Sequence, residues 1–232
     1  MTLTPEEWQI ITLSLKVSVV AVLLTTPPAF LLAWLLSRGH FRGKLLLDAL
    51  VHLPLVLPPV VTGWFLLLAF GRTGPIGAWT ERWLGLVFMF RWTGAALAAA
   101  VMALPLMVRA IRLSLDAIDR RLEGAARTLG ADRGRVFLTI TLPLALPGLL
   151  AALVLGFARS LGEFGATITF VSNIPGETRT LPLAIYTSLQ VPGAESIVLR
   201  LSLIAVALSF IALIAAELIV RRSGAGRGGH VI

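Results

Sequence analysis

The chain is predicted to be an all-α polytopic membrane bundle of about five transmembrane helices, and three observations predict it. Hydrophobic residues fill 57% of the 232 positions. Charged residues make up only 14%, against about 25% in soluble domains. Five apolar segments are long enough to cross a hydrocarbon core of ~30 Å, which takes about 20 helical residues. A bilayer-embedded chain of this length forms one bundle, so a single domain over 1–232 is expected.

The segments are Ile10–Leu36, Leu45–Phe70, Thr93–Ile111, Val136–Ala158 and Ser196–Val220. The first lacks the basic flank and small-residue cleavage site of a signal peptide and carries Glu6 and Glu7 instead, so it reads as a retained helix. The second is interrupted by Pro54, Pro58 and Pro59, the third by Pro105, and the fourth by Pro143 and Pro147. Each proline removes a backbone donor and bends its helix. A sixth stretch, Phe164–Ser172, is apolar but too short to cross alone and is predicted to be a re-entrant or tilted piece, its backbone covered by protein or water.

Lys and Arg fix the expected orientation. With five crossings and the N-terminus outside, the stretches 37–44 and 109–135 and the tail after 220 hold thirteen of them, and the other side holds seven. This bias puts those stretches and the C-terminus in the cytoplasm. Cationic residues gathered at span ends also account for the net charge of +8 without invoking nucleic acid. The absence of cysteine excludes disulfides and thiolate chemistry. Three scattered histidines have no metal-ligand spacing, so no metal site is expected. No acidic residue falls near the middle of an expected span, since Asp48 and Glu217 lie near span ends; this argues against an ion-coupled carrier. Isolated carboxylates likewise offer no acid–base pair for a lipid-modifying enzyme.

One polar block, about 112–142, stands inside this apolar sequence. Leu115, Ile118, Leu122, Ala125, Ala126 and Leu129 recur at helical spacing over Leu113–Leu129. Gly130 suits a left-handed helix end, and Asp132 suits the N-cap of a second helix, Arg133–Thr141, running into Pro143. The pattern predicts a helix–turn–helix hairpin at the cytoplasmic face. A basic amphipathic linker resting on lipid headgroups would share part of this pattern.

The order Glu123, Ala125-Ala126, three residues, Gly130, nine residues, Ile140-x-Leu142-Pro143 resembles the EAA loop of ABC-importer permeases. The family's acid lies six residues before the glycine, a place held here by Gly124, so Glu123 is turned about 100° around the helix. The resemblance implies that Glu123, Gly124, Ala125, Ala126, Arg127, Leu129, Gly130 and Ala131 dock on a separate ATPase subunit. ATP and Mg would then sit on that partner, leaving no cofactor and no catalytic residue here; the chain indeed has no Gly-x-x-x-x-Gly-Lys-Ser/Thr loop.

A second stretch, Arg159-Ser-Leu-Gly-Glu-Phe-Gly-Ala-Thr-Ile-Thr-Phe170 followed by Asn173-Ile-Pro-Gly-Glu-Thr-Arg179, is similar to the permeases of molybdate ABC importers. The resemblance implies a subunit that pairs with a second copy of itself, a cytoplasmic ATPase dimer and an extracytoplasmic molybdate-binding protein, in the bacterial inner membrane. Arg159, Ser160, Glu163, Thr167, Thr169 and Ser172 are the expected substrate-pathway residues, with Arg159 near the outer end of the fourth span. Two local alternatives stand beside this: Arg159 pairing with Glu163 at i+4, and the threonines bonding the preceding turn of their own helix.

Overall fold

The computed structural model describes residues 3–225 and is all-helical over that range. The side chains of Glu217, Arg221 and Arg222, and all of Arg227, lie outside the described part. Helix α1 is Pro5–Arg38, α2 Lys44–Val56, α3 Pro59–Phe70, α4 Pro75–Leu84 and α5 Trp92–Asp116. After these come α6 Arg120–Thr128, α7 Arg133–Val136, a π-helical turn Phe137–Thr141 and α8 Leu142–Leu161. The chain closes with α9 Gly165–Val171, α10 Leu181–Leu189 and α11 Glu195–Ala225.

Among the described residues, four helices are long and apolar enough to cross a membrane, and the bent α2–α3 pair brings the number to five when counted as one span. Helix α1 starts on a capping box: Thr4 accepts from the Glu7 amide while the Glu7 carboxylate takes the Thr4 amide, which satisfies two free donors of the first turn. Helix α5 is central. Gly94, Ala95, Ala96, Ala98, Ala99, Ala100 and Ala103 are all buried, and such small side chains let neighbouring backbones come close. Around it lie two apolar clusters. One gathers Leu13, Val17, Leu66, Ala95 and Phe170 toward the end where α1 begins. The other gathers Leu36, Val51, Met107, Ile111 and Ala145 toward the end that carries α6.

The second span departs from the continuous helix expected over Leu45–Phe70. Its halves are bent by 115° at Leu57-Pro58. Tandem prolines remove two consecutive amide donors and hold Leu57 and Pro58 extended, with ψ of 141° and 133°. Single prolines at 54, 105 and 147 stay inside their helices. The two halves serve different clusters, Val51 of α2 in one and Leu66 of α3 in the other.

The fourth span is longer at both ends than Val136–Ala158, running Arg133–Leu161. Its contacts with α5, and those of the short helix after it, climb in one direction. Gly148 backs on Ser114 and Ala110, Gly156 on Met107, and Val171 on Gly94 at the opposite end of α5. Helix α9 therefore packs further along α5 than α8 does, after a break at 162–164. Arg133–Leu161 is by itself long and apolar enough to cross a membrane, and α9 follows it as a separate short helix. Glu163 causes the break to hold its shape: its Oε1 accepts from the Ala166 amide at 2.8 Å and satisfies the first turn of α9.

Helices α4 and α10 were not anticipated. Both are short and start at a proline in the first turn, too brief for a periodic signal.

Candidate functional site

The polar block folds as a single short helix between two breaks. Helix α5 runs on to Asp116, so the expected Leu113–Leu129 helix is two helices, divided at 117–119. Asp119 caps α6 by accepting from the Arg121 amide at 2.9 Å. At the other end the Ala131 amide bonds the Ala126 carbonyl and the Gly130 amide bonds the Arg127 carbonyl, both at 3.0 Å. This pair of bonds needs a left-handed residue, and Gly130 has φ +88°. A Cβ there would meet nothing within 4 Å, so backbone conformation and not space requires the glycine. Asp132 caps the next element through the amides of Gly134 and Arg135. That element does not stop at Pro143. It passes through the π-helical turn directly into α8, so the second arm of the hairpin is the start of the fourth span.

At about 100° per residue, α6 has two distinct faces. Arg120, Glu123, Gly124 and Arg127 fall on one, and all four line a cleft shared with Arg38, Arg133 and Thr141. Leu122, Ala125 and Leu129 fall on the opposite face and are exposed, Leu129 by 88%. The eight expected docking residues are thereby divided. Ala125 and Leu129 point away from the chain, Ala126 and Ala131 are half-buried, and Gly130 forms the turn. Glu123, Gly124 and Arg127 face the cleft. Leu122, absent from the expected set, joins the exposed apolar face.

Glu123 is tied into its own chain. Its Oε1 lies 3.1 Å from the Arg38 guanidinium at the end of α1 and accepts from the Thr141 hydroxyl at 2.9 Å. The two ionic side chains are only 12% and 18% exposed. One carboxylate therefore joins the end of α1, the polar helix α6 and the last residue of the π-helical turn. Gly124, at the place of the family's acid, lines the same cleft. Arg38 and Thr141 carried no sequence signal for this role, because their partner lies 85 and 18 residues away. A second polar group braces the same end: Arg112 binds Asp48 at 3.0 Å and Asp116 at 3.6 Å, and Ser37 donates to Asp116 at 2.5 Å.

The six expected pathway residues lie around the break that follows the fourth span. Arg159 pairs with Glu163 at 2.5 Å, and Glu163 is 2% exposed at its side chain. With Oε1 committed to Ala166, this carboxylate is fully engaged, and the pair adopts the local alternative. Thr169 likewise donates to the Gly165 carbonyl of its own helix. Arg159 stands in the last turn of α8, before the break at 162–164. Ser172 terminates α9 with φ +64° and is exposed. Thr167 is buried. Among the described residues, the Ser160 hydroxyl is buried without a partner, as is that of Thr62 on α3, which carried no sequence signal. Helices α3 and α9 meet closely here, Gly63 against Ala166 and Gly165 against Pro59, so both helix breaks lie side by side.

The family model for binding-protein-dependent transport system inner membrane components matches residues 13–224. The chain belongs to that family. Members of it that are similar in sequence include the molybdenum transport system permease protein ModB of Escherichia coli strain K12, 61% identical over 98% of this chain and 100% of the relative. The ModB of Haemophilus influenzae is 60% identical over 91% of this chain and 93% of its own length. Among solved structures, the inward-facing MetNI methionine ABC transporter has a similar fold, with a TM-score of 0.69 at 18% identity, covering 94% of each chain. Family membership accounts for the multi-pass apolar helices as those of an inner-membrane component and displaces the ion-coupled carrier and the lipid enzyme as readings.

Proposed function

We propose that this chain is the permease subunit of an ATP-driven molybdate importer, working as two copies with a cytoplasmic ATPase dimer and an extracytoplasmic binding protein. The observation that carries the proposal is the 61% identity, over essentially the full length of both chains, to a molybdenum transport permease. In this reading the end carrying α6 faces the cytoplasm, consistent with the Lys and Arg bias. The exposed apolar face of Leu122, Ala125 and Leu129 docks on the ATPase.

The mechanism follows from what α6 is fastened to. Movement of the docked α6 acts through Glu123 on Arg38 and Thr141, hence on α1 and on the π-helical turn that opens the fourth span. The break at 57–58 divides one crossing into halves, and that at 162–164 separates α9 from the fourth span, so that these parts can tilt separately. The ATP state of the partner must bind the two arrangements with different affinity for this movement to be driven. Arg159 and Glu163 act as a neutral, paired brace at the break. The buried hydroxyls of Ser160 and Thr62 are left as donors for a passing dianion. ATP and Mg are held by the partner.

The test is uptake of radiolabelled molybdate into proteoliposomes holding the complete complex and its binding protein. Uptake that needs ATP and is competed by molybdate better than by sulfate supports the reading, and equal competition by tungstate broadens the substrate class. Uptake that persists without ATP and collapses with the proton gradient refutes it.

A further inference from the structure

The cleft behind α6 has a volume of about 500 Å³ and opens between the end of α1, the inner face of α6 and the start of α7. Arg38, Arg120, Arg127 and Arg133 line it, with Trp34 and Phe137 as apolar walls. Its one carboxylate, Glu123, is already engaged by Arg38 and Thr141. Four guanidinium groups thus face a single occupied acid. Arg38 is only 12% exposed and its guanidinium is held by Glu123, so the cationic excess in the cleft comes from Arg120, Arg127 and Arg133. Guanidinium forks from several directions match phosphate-type oxygens in geometry as well as charge.

We propose that this cleft is a binding site for a tetrahedral oxyanion, either a free dianion or the phosphate of a lipid headgroup. A protein partner is the weaker occupant, because the cleft is turned toward the chain's own bundle while the apolar face of α6 points the other way. The bound oxyanion bridges Arg38 of α1, Arg120 and Arg127 of α6, and Arg133 of α7. Those elements otherwise meet through Glu123 and the weak 3.4 Å bond from Arg120 to the Ser37 carbonyl. Occupancy therefore fixes the polar helix to the bundle. The inference is independent of the transported substrate, so a failed uptake assay leaves it standing.

The experiment uses the full chain purified with its associated subunits, in nanodiscs of phosphatidylcholine, and follows hydrogen exchange of amides in 120–136. Inorganic sulfate at about ten times its Kd, against chloride of equal ionic strength, is expected to slow exchange about tenfold. Arg127→Gln/Arg133→Gln, both at exposed positions, is expected to remove the effect. If phosphatidylglycerol nanodiscs give the same protection without sulfate and make sulfate ineffective, the oxyanion is the lipid's. No protection in either lipid overturns the proposal. So does undiminished protection in the double variant, or protection that requires the ATPase and ignores anions.

Discussion

Substituting Glu123→Ala separates an internal strut from a docking contact. The carboxylate makes a charge-assisted bond to Arg38 at 3.1 Å and accepts from Thr141 at 2.9 Å. Bonds to charged groups contribute about 1.5–3 kcal/mol each when partly enclosed. Both ionic side chains are less than a fifth exposed, so screening is limited. Loss of the carboxylate also leaves Arg38 uncompensated, and removes a negative charge from the first turn of α6, about 0.3–1 kcal/mol. Alanine's helix propensity offsets only a few tenths of a kcal/mol. The net cost is about 3 kcal/mol, whereas an outward-facing docking residue would cost its own chain under about 0.5 kcal/mol. The assay is thermal unfolding of the purified protein for wild type, Arg38→Gln, Glu123→Ala and the double variant. A coupling energy of about 1–2 kcal/mol is expected for a contacting ionic pair. Coupling near zero, with ATPase co-purification lost in Glu123→Ala alone, would refute the reasoning.

Other expectations follow from the same geometry. Leu129→Glu adds a charge to a side chain that is 88% exposed, so melting should shift by less than about 0.5 kcal/mol while ATPase retention on affinity resin falls sharply. Gly130→Ala forces a Cβ onto φ +88° and should lower stability by about 1 kcal/mol or more, read as a lower melting temperature. Gly63→Ala would place a Cβ 2.6 Å from the Ala166 carbonyl oxygen and should cost about 1–3 kcal/mol by overpacking. Gly124→Ala, with nothing within 4 Å, should instead stabilise by up to about 1 kcal/mol, and comparison of the two melting curves checks the opposite signs. Glu163→Gln leaves Arg159 without its ionic partner beside a buried break, and should destabilise by about 3 kcal/mol while reducing uptake.

Hydrophobic run length is a local property, and it was enough to read the apolar crossings from residue order alone. Capping chemistry is equally local, which is why Gly130 and Asp132 fell where the order of residues put them. The EAA spacing and the Arg159–Phe170 stretch pointed to the family that the full-length match then established. Tertiary structure decided matters that depend on partners distant in the chain. Whether tandem prolines bend a span or are absorbed, as Pro27 and Pro28 are within α1, depends on what packs against them. The fate of 164–172 turned on the gap between α3 and α5 into which α9 fits. Most of all, what Glu123 meets was set by the presence of Arg38 and Thr141 at its tip. A sequence fixes which side chains share a face of a helix; only the packed bundle determines what that face meets.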